Sequence, residues 1–180
     1  MTADAPYSHP FRIAALAQRK PTRFDLIPSA VERSAIAAAL GLIDLPHARL
    51  KGEIRPVGRH DFTLEAELVA DVVQPCIITL APVSSHISDH VSRRYLADWT
   101  EPVGEESEVP EDDTAEALPE IIDAGQILIE ALSLALPLYP RADGAEFAGV
   151  TAAETGADPL TDEKLKPFAG LADLLKGKGN

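Results

Sequence analysis

The sequence predicts an α+β fold: a single domain with a mainly antiparallel twisted sheet covered by two helices, plus an acidic flexible loop and a C-terminal tail. Three observations carry this. Two stretches around Val57-Gly58-Arg59 alternate apolar and polar residues with a period of two. An alanine-rich segment is bracketed by a capping sequence and a glycine. A second segment, apolar nearly all round, follows Asp123 and stops at Pro137.

Residues 1–21 are punctuated by proline and read as a loosely ordered arm, with the core domain expected over 22–140. Arg23 to Ile27 suits a short strand. Ser29 followed three residues later by Glu32 is a capping box, which satisfies two backbone donors left over at a helix start. Gly41 is a natural end, because it accepts positive φ without Cβ strain. A helix over 30–40 follows.

Ala48, Leu50, Gly52 and Ile54 alternate with Arg49, Lys51, Glu53 and Arg55, and Phe62 to Ala70 alternate likewise with acids and Thr63. Each arm is a strand with one buried face. Charge matching across the hairpin predicts Arg49 opposite Glu67, Lys51 opposite Glu65 and Arg55 opposite Asp61. Gly58 then falls in a three-residue loop of the bulged type. Val72 to Leu80 continues apolar, but Pro75 cannot donate to a ladder, so a break or bulge is expected there, and Pro82 ends the run. From His86 to Trp99, β-branched and aromatic residues favour a strand. Ile87, Val91 and Tyr95 share its face, interrupted by Asp89 and Arg93.

Glu101 to Glu120 holds nine acids, no base and three prolines, so a flexible loop is expected over 101–118. Pro119 to Ile122 can pair briefly as a strand. Asp123 caps the second helix, 124–136, with Gln126 at the reciprocal position. Residues 141–180 read as a tail with a possible short helix within 162–176.

The 180 residues are 46% hydrophobic and 25% charged, enough apolar content for a core. The formal charge is −13, unevenly spread. Residues 1–60 carry nine basic against five acidic side chains, residues 61–160 three against twenty-one, and residues 161–180 four against three. Phosphate contacts need Lys and Arg. Any such contact is therefore confined to Arg49, Lys51, Arg55 and Arg59 and to Lys164 and Lys166, with Lys176 and Lys178 of the tail. The acidic middle suits a basic partner instead.

No apolar stretch approaches the roughly 20 residues that cross a bilayer. The start has no apolar core with a cleavage site. A cytoplasmic protein without a membrane partner is expected. No glycine-rich phosphate loop, nucleophile elbow or paired-cysteine motif occurs. His86 and His90 lack a third ligand and read as surface residues rather than a metal pair. Cys76 is the single cysteine and reads as a buried structural thiol. Neither a catalytic residue nor a metal site nor a cofactor is expected. The rival expectation is an enzyme or small-ligand binder that uses an apolar cavity of the sheet.

The order of motifs adds a resemblance. Val73-Gln-Pro-Cys76-Ile-Ile-Thr-Leu-Ala-Pro82-Val resembles the "Q-x-C-V-V-T-L-E-P-V" segment of the YceD family, the bacterial large ribosomal RNA subunit accumulation proteins. Asp123, Glu130 and the Leu-Pro137-Leu-Tyr-Pro140 string look like that family's acidic residue, helix and "L-P-x-x-P" element. Lys166-Pro-Phe-Ala-x-Leu looks like its closing "N-P-F-A-x-L", with lysine for asparagine. The resemblance implies a non-enzymatic role in 23S rRNA accumulation and large-subunit assembly. The partner it implies is 23S rRNA or a ribosomal or processing protein, and not DNA. Many relatives carry a Cys-x-x-Cys here and a second cysteine pair after the Leu-Pro element. In this chain Thr79 stands at the second position and residues 141–147 hold no cysteine.

Overall fold

The structure is a computed structural model that describes residues 5–99 and 115–146. In chain order these form β1 (Pro10–Arg12), a 3-10 turn (Ile13–Ala15), β2 (Thr22–Leu26), α1 (Ala30–Leu40), β3 (Asp44–Val57), β4 (Asp61–Pro75) and β5 (Pro82–Leu96). After these come β6 (Ala115–Ala117), β7 (Ile121–Asp123) and α2 (Ala124–Ala135). Five strands make one sheet in the order β2-β3-β4-β5-β6, antiparallel except for β6, which runs parallel to β5. β1 and β7 pair separately and antiparallel.

Local sequence signals set the helices. The Ser29 hydroxyl accepts from the Glu32 N–H, and the Ser29 N–H donates to the Glu32 carboxylate at 2.6 Å. Gly41 closes α1 at φ 66°, in the left-handed region. The Asp123 carboxylate caps α2 by accepting from the N–H groups of Gly125 and Gln126.

The sheet is two-faced. Leu50, Ile54, Leu64, Leu68 and Val72 are buried on the inner face, where Ile36 of α1 and Leu128 and Leu132 of α2 join the same core. The outer face carries the odd-numbered charges of β3 and β4 and the even-numbered residues of β5. Period-two patterning therefore assigned the faces correctly.

The hairpin register differs from expectation by two residues. Arg49 stands opposite Val69, Lys51 opposite Glu67, Glu53 opposite Glu65, Arg55 opposite Thr63 and Val57 opposite Asp61. A two-residue shift keeps every side chain on its face, so patterning is blind to it. Two packing facts decide it. Gly52 takes Ala66 as its neighbour, where the expected register would give it the bulkier Leu64. Arg49 of β3 finds its carboxylate on the other side, binding Asp25 of β2 at 2.7 and 2.5 Å, and Glu53 of β3 is taken by Arg23 of β2 and by Arg55 of its own strand. The loop is Gly58–His60, with Gly58 at its first position at φ 62°.

Three further differences follow from pairing. The arm expected to be loose contains β1 and the 3-10 turn, because β7 offers it a partner and Leu16 is buried in the core. Residues 115–117, expected within the acidic loop, are β6, since the last residues of β5 offer an open ladder. Pro82 begins β5 rather than ending a run: it stands opposite Pro75, where the turn between β4 and β5 starts. Residues 101–114 of the acidic block, the tail helix, Lys164 and Lys166 lie outside the described residues.

Candidate functional site

Cys76, Pro137 and Pro140 meet where the turn after β4 joins the chain leaving α2. Cys76 is fully buried. Its sulfur accepts backbone N–H groups from Ile78 at 3.4 Å, Thr79 at 3.5 Å and Ala142 at 3.4 Å. The Ile77 N–H donates to the Pro140 carbonyl at 3.0 Å, and the Gln74 amide donates to the Pro137 carbonyl at 3.2 Å. Leu80 completes the turn in the left-handed region at φ 61°, held by its N–H on the Cys76 carbonyl. For a branched residue that conformation is strained. Pro82 then starts β5.

The thiol is an acid under these donors. The Thr79 hydroxyl, then the N–H groups of Ala142, Thr79 and Ile78, lower its pKa from 9.0 to about 6 against the opposing effect of desolvation. A metal bound by several thiolates does not fit this chain. Thr79 and the backbone N–H groups occupy the sulfur, and among the described residues no group of three metal-ligating side chains occurs. The depressed folded value gives a signed prediction. Between pH 6 and 9 the unfolded thiol keeps its proton while the folded one has lost it, so stability rises with pH across that window. The contribution is complete above the unfolded value and disappears as pH falls through the folded one. Melting temperature against pH, for the wild type and Cys76→Ala, checks this. The gap between the two should widen from pH 6 to 9, and parallel profiles would refute it.

Asp123 has a second set of partners. Besides its two cap donors it accepts from the Ser8 hydroxyl at 2.5 Å and the His9 N–H at 2.7 Å, pinning the N-terminal arm to the start of α2. Desolvation raises its pKa, but hydrogen bonds from Ser8, His9, Gln126 and Gly125 outweigh it and hold the carboxyl below its ordinary value.

Glu130, on α2, meets Arg93, which sequence reasoning did not single out. Arg93 points inward from β5 and binds Glu130 at 2.8 Å and Glu116 of β6 at 3.2 Å. Burial pulls its pKa down, but the two carboxylates hold the guanidinium firmly charged. One residue thus links β5, β6 and α2. The available signal was an arginine interrupting the apolar row Ile87, Val91, Tyr95. Beside it runs a groove of about 410 Å³ between β5 and α2, lined by Asp89, Glu116, Glu130 and Leu134 among others.

The basic candidates are brought together only in part. Arg49, Lys51 and Arg55 share the outer face, and Arg59 lies exposed in the loop. Arg49 is engaged by Asp25, and Arg55 by Glu53. Elsewhere on this face His86 bonds Asp71 at 2.7 Å and His90 bonds Glu65 at 2.9 Å, all four well exposed. No helix among the described residues is long and apolar enough to cross a membrane.

Comparison with curated proteins and with solved structures returns no match. A family model described as "Large ribosomal RNA subunit accumulation protein YceD" matches residues 64–175, which is more than half of the chain. That span includes the Cys76 turn, β5 with Arg93, Asp123, α2 with Glu130, and the Pro137–Pro140 segment. The ordered motifs and the family match agree, and the chain belongs to the YceD family.

Proposed function

We propose that this protein supports accumulation of 23S rRNA as a non-enzymatic, cytoplasmic large-subunit assembly factor, acting by contact with a basic ribosomal or processing protein. The family match over residues 64–175 carries the ribosomal part of the reading. The choice of a protein over naked RNA rests on charge. Arg23, Arg49 and Arg55 are already matched by Asp25 and Glu53, so a phosphate would have to compete with fixed carboxylates for them. The chain as a whole is acidic, at −13, which favours encounter with a basic partner.

Capture of partners from cell lysate with the full chain, at low and high salt and with ribonuclease, tests the contact. A large-subunit protein should remain bound after ribonuclease treatment. Retention of 23S rRNA alone, with affinity for naked RNA falling steeply as salt rises, would instead assign contact to Arg49, Lys51, Arg55 and Arg59.

A further inference from the structure

We infer that the open edge of β5, with the acidic groove beneath it, is a docking site for an extended basic peptide that adds to the sheet as a further strand. Among the described residues only β6 lies on that side of β5, and it covers Arg94 to Leu96 alone. Among the described residues, none pairs with 82–93 on that side.

The direction of the backbone groups can be read from two bonds. The Leu96 carbonyl accepts from the Leu118 N–H just past β6, so it points away from β4. The His90 N–H donates to the Asp89 side chain at 2.8 Å rather than to a strand. In an antiparallel ladder alternate residues turn both polar groups to the same side. Ser84, His86, Ser88, His90 and Ser92 therefore present N–H and C=O groups to the open edge. Such a row is a template for an incoming strand.

The groove beside that edge selects the partner. Asp89 lies exposed at the rim, capping the His90 N–H that an added strand would take over. Glu116 and Glu130 share the single positive charge of Arg93, so the lining has more negative than positive charge. Leu134 is 78% exposed at the same groove and offers an apolar contact. An extended segment alternating Lys or Arg with apolar residues matches all three features. Its backbone pairs with the edge, its cations all fall on the groove side and meet Asp89, Glu116 and Glu130, and their aliphatic stems lie against Leu134. This deepens the protein-contact reading above and rests on it only for the source of the peptide.

Amide hydrogen exchange of the full chain tests it, with a Lys–Val alternating peptide of about ten residues and its Glu–Val counterpart as probes. The Lys peptide should slow exchange at Ser84, His86, Ser88 and Ser92 by at least about tenfold, and the Glu peptide should not. Ser88→Pro removes one outward donor and leaves the β4 ladder intact, a position where proline is tolerated. It should abolish the protection while keeping the melting temperature near that of wild type. Should that variant unfold, Asp89→Lys serves instead and should weaken the Lys peptide about fivefold at low salt. No binding, binding without protection of these amides, or equal binding of both peptides would overturn the inference. Protection by the peptide in a chain whose loss leaves 23S rRNA unchanged would uphold the docking site while removing the ribosomal role.

Discussion

Gly52→Val is expected to destabilise the fold by about 3 kcal/mol, the upper end of the usual cost of overpacking. Gly52 lies on the inner face of β3, opposite Phe24 of β2 and Ala66 of β4. A Cβ placed there would sit 2.5 Å from the Ala66 Cβ and 2.7 Å from its Cα, and would also strike the Glu65 carbonyl oxygen. Much of that obstruction is backbone, which cannot rotate away as a side chain can. Relief requires β3 and β4 to separate at the centre of the sheet. Valine is otherwise a favourable strand residue, so propensity alone predicts the opposite sign. Denaturant unfolding of Gly52→Val beside Thr63→Val, an outer-face control expected to change stability by less than about 0.5 kcal/mol, separates the two effects. Equal behaviour of the two variants would show that the close approach at Gly52 is not real.

Asp123→Ala should cost about 2–3 kcal/mol, because one carboxylate performs two tasks. As N-cap of α2 it satisfies Gly125 and Gln126, a role usually worth about 1 kcal/mol. It also takes charge-assisted hydrogen bonds from Ser8 and His9, each stronger than a neutral one. The arm it pins packs so closely that a Cβ on Gly125 would lie 2.8 Å from the His9 nitrogen. Loss of Asp123 should therefore release β1 as well as fray α2. Faster amide exchange at Phe11 and Arg12 would report the first effect, and lower thermal stability the second. The pH dependence has a definite sign. The folded carboxyl is held below its ordinary 3.8, so its contribution is present above that value and is lost as pH falls through the folded one. Asp123→Asn should lose this acid-range dependence while keeping part of the cap.

Local chemistry made much of this legible in the sequence. The capping box of Ser29 and Glu32, Gly41 and the Asp123 cap are signals spanning a few residues, and both helices lie where those signals put them. The faces of β3 and β4 follow from alternation alone. What was not legible depends on neighbours far away in the chain. The hairpin register turned on Asp25 of β2 taking Arg49 of β3 and on the small partner that Gly52 requires. β1 was hidden because its partner, β7, lies more than 100 residues away. β6 was hidden inside an acid-rich stretch because its pairing depends on the free end of β5. At the site, Cys76, Pro137 and Pro140 could be named from a resemblance, but their joining through the Ala142 N–H and the Pro140 carbonyl is a tertiary fact. Arg93 announced itself only as a charge on an apolar face. Its two carboxylates come from β6 and α2, which no spacing rule connects.

Charge illustrates the same division. Counting residues located basic side chains in the first third of the chain. It did not show that Asp25 and Glu53, in that same third, stand beside them on the sheet. That pairing moves the weight of the functional reading from RNA phosphate toward a basic protein partner.

A role in accumulation of large-subunit rRNA is decided by the ratio of 23S to 16S rRNA in cells depleted of this protein. A selective fall in 23S is expected, restored when the intact chain is supplied again. An unchanged ratio on full depletion would contradict it.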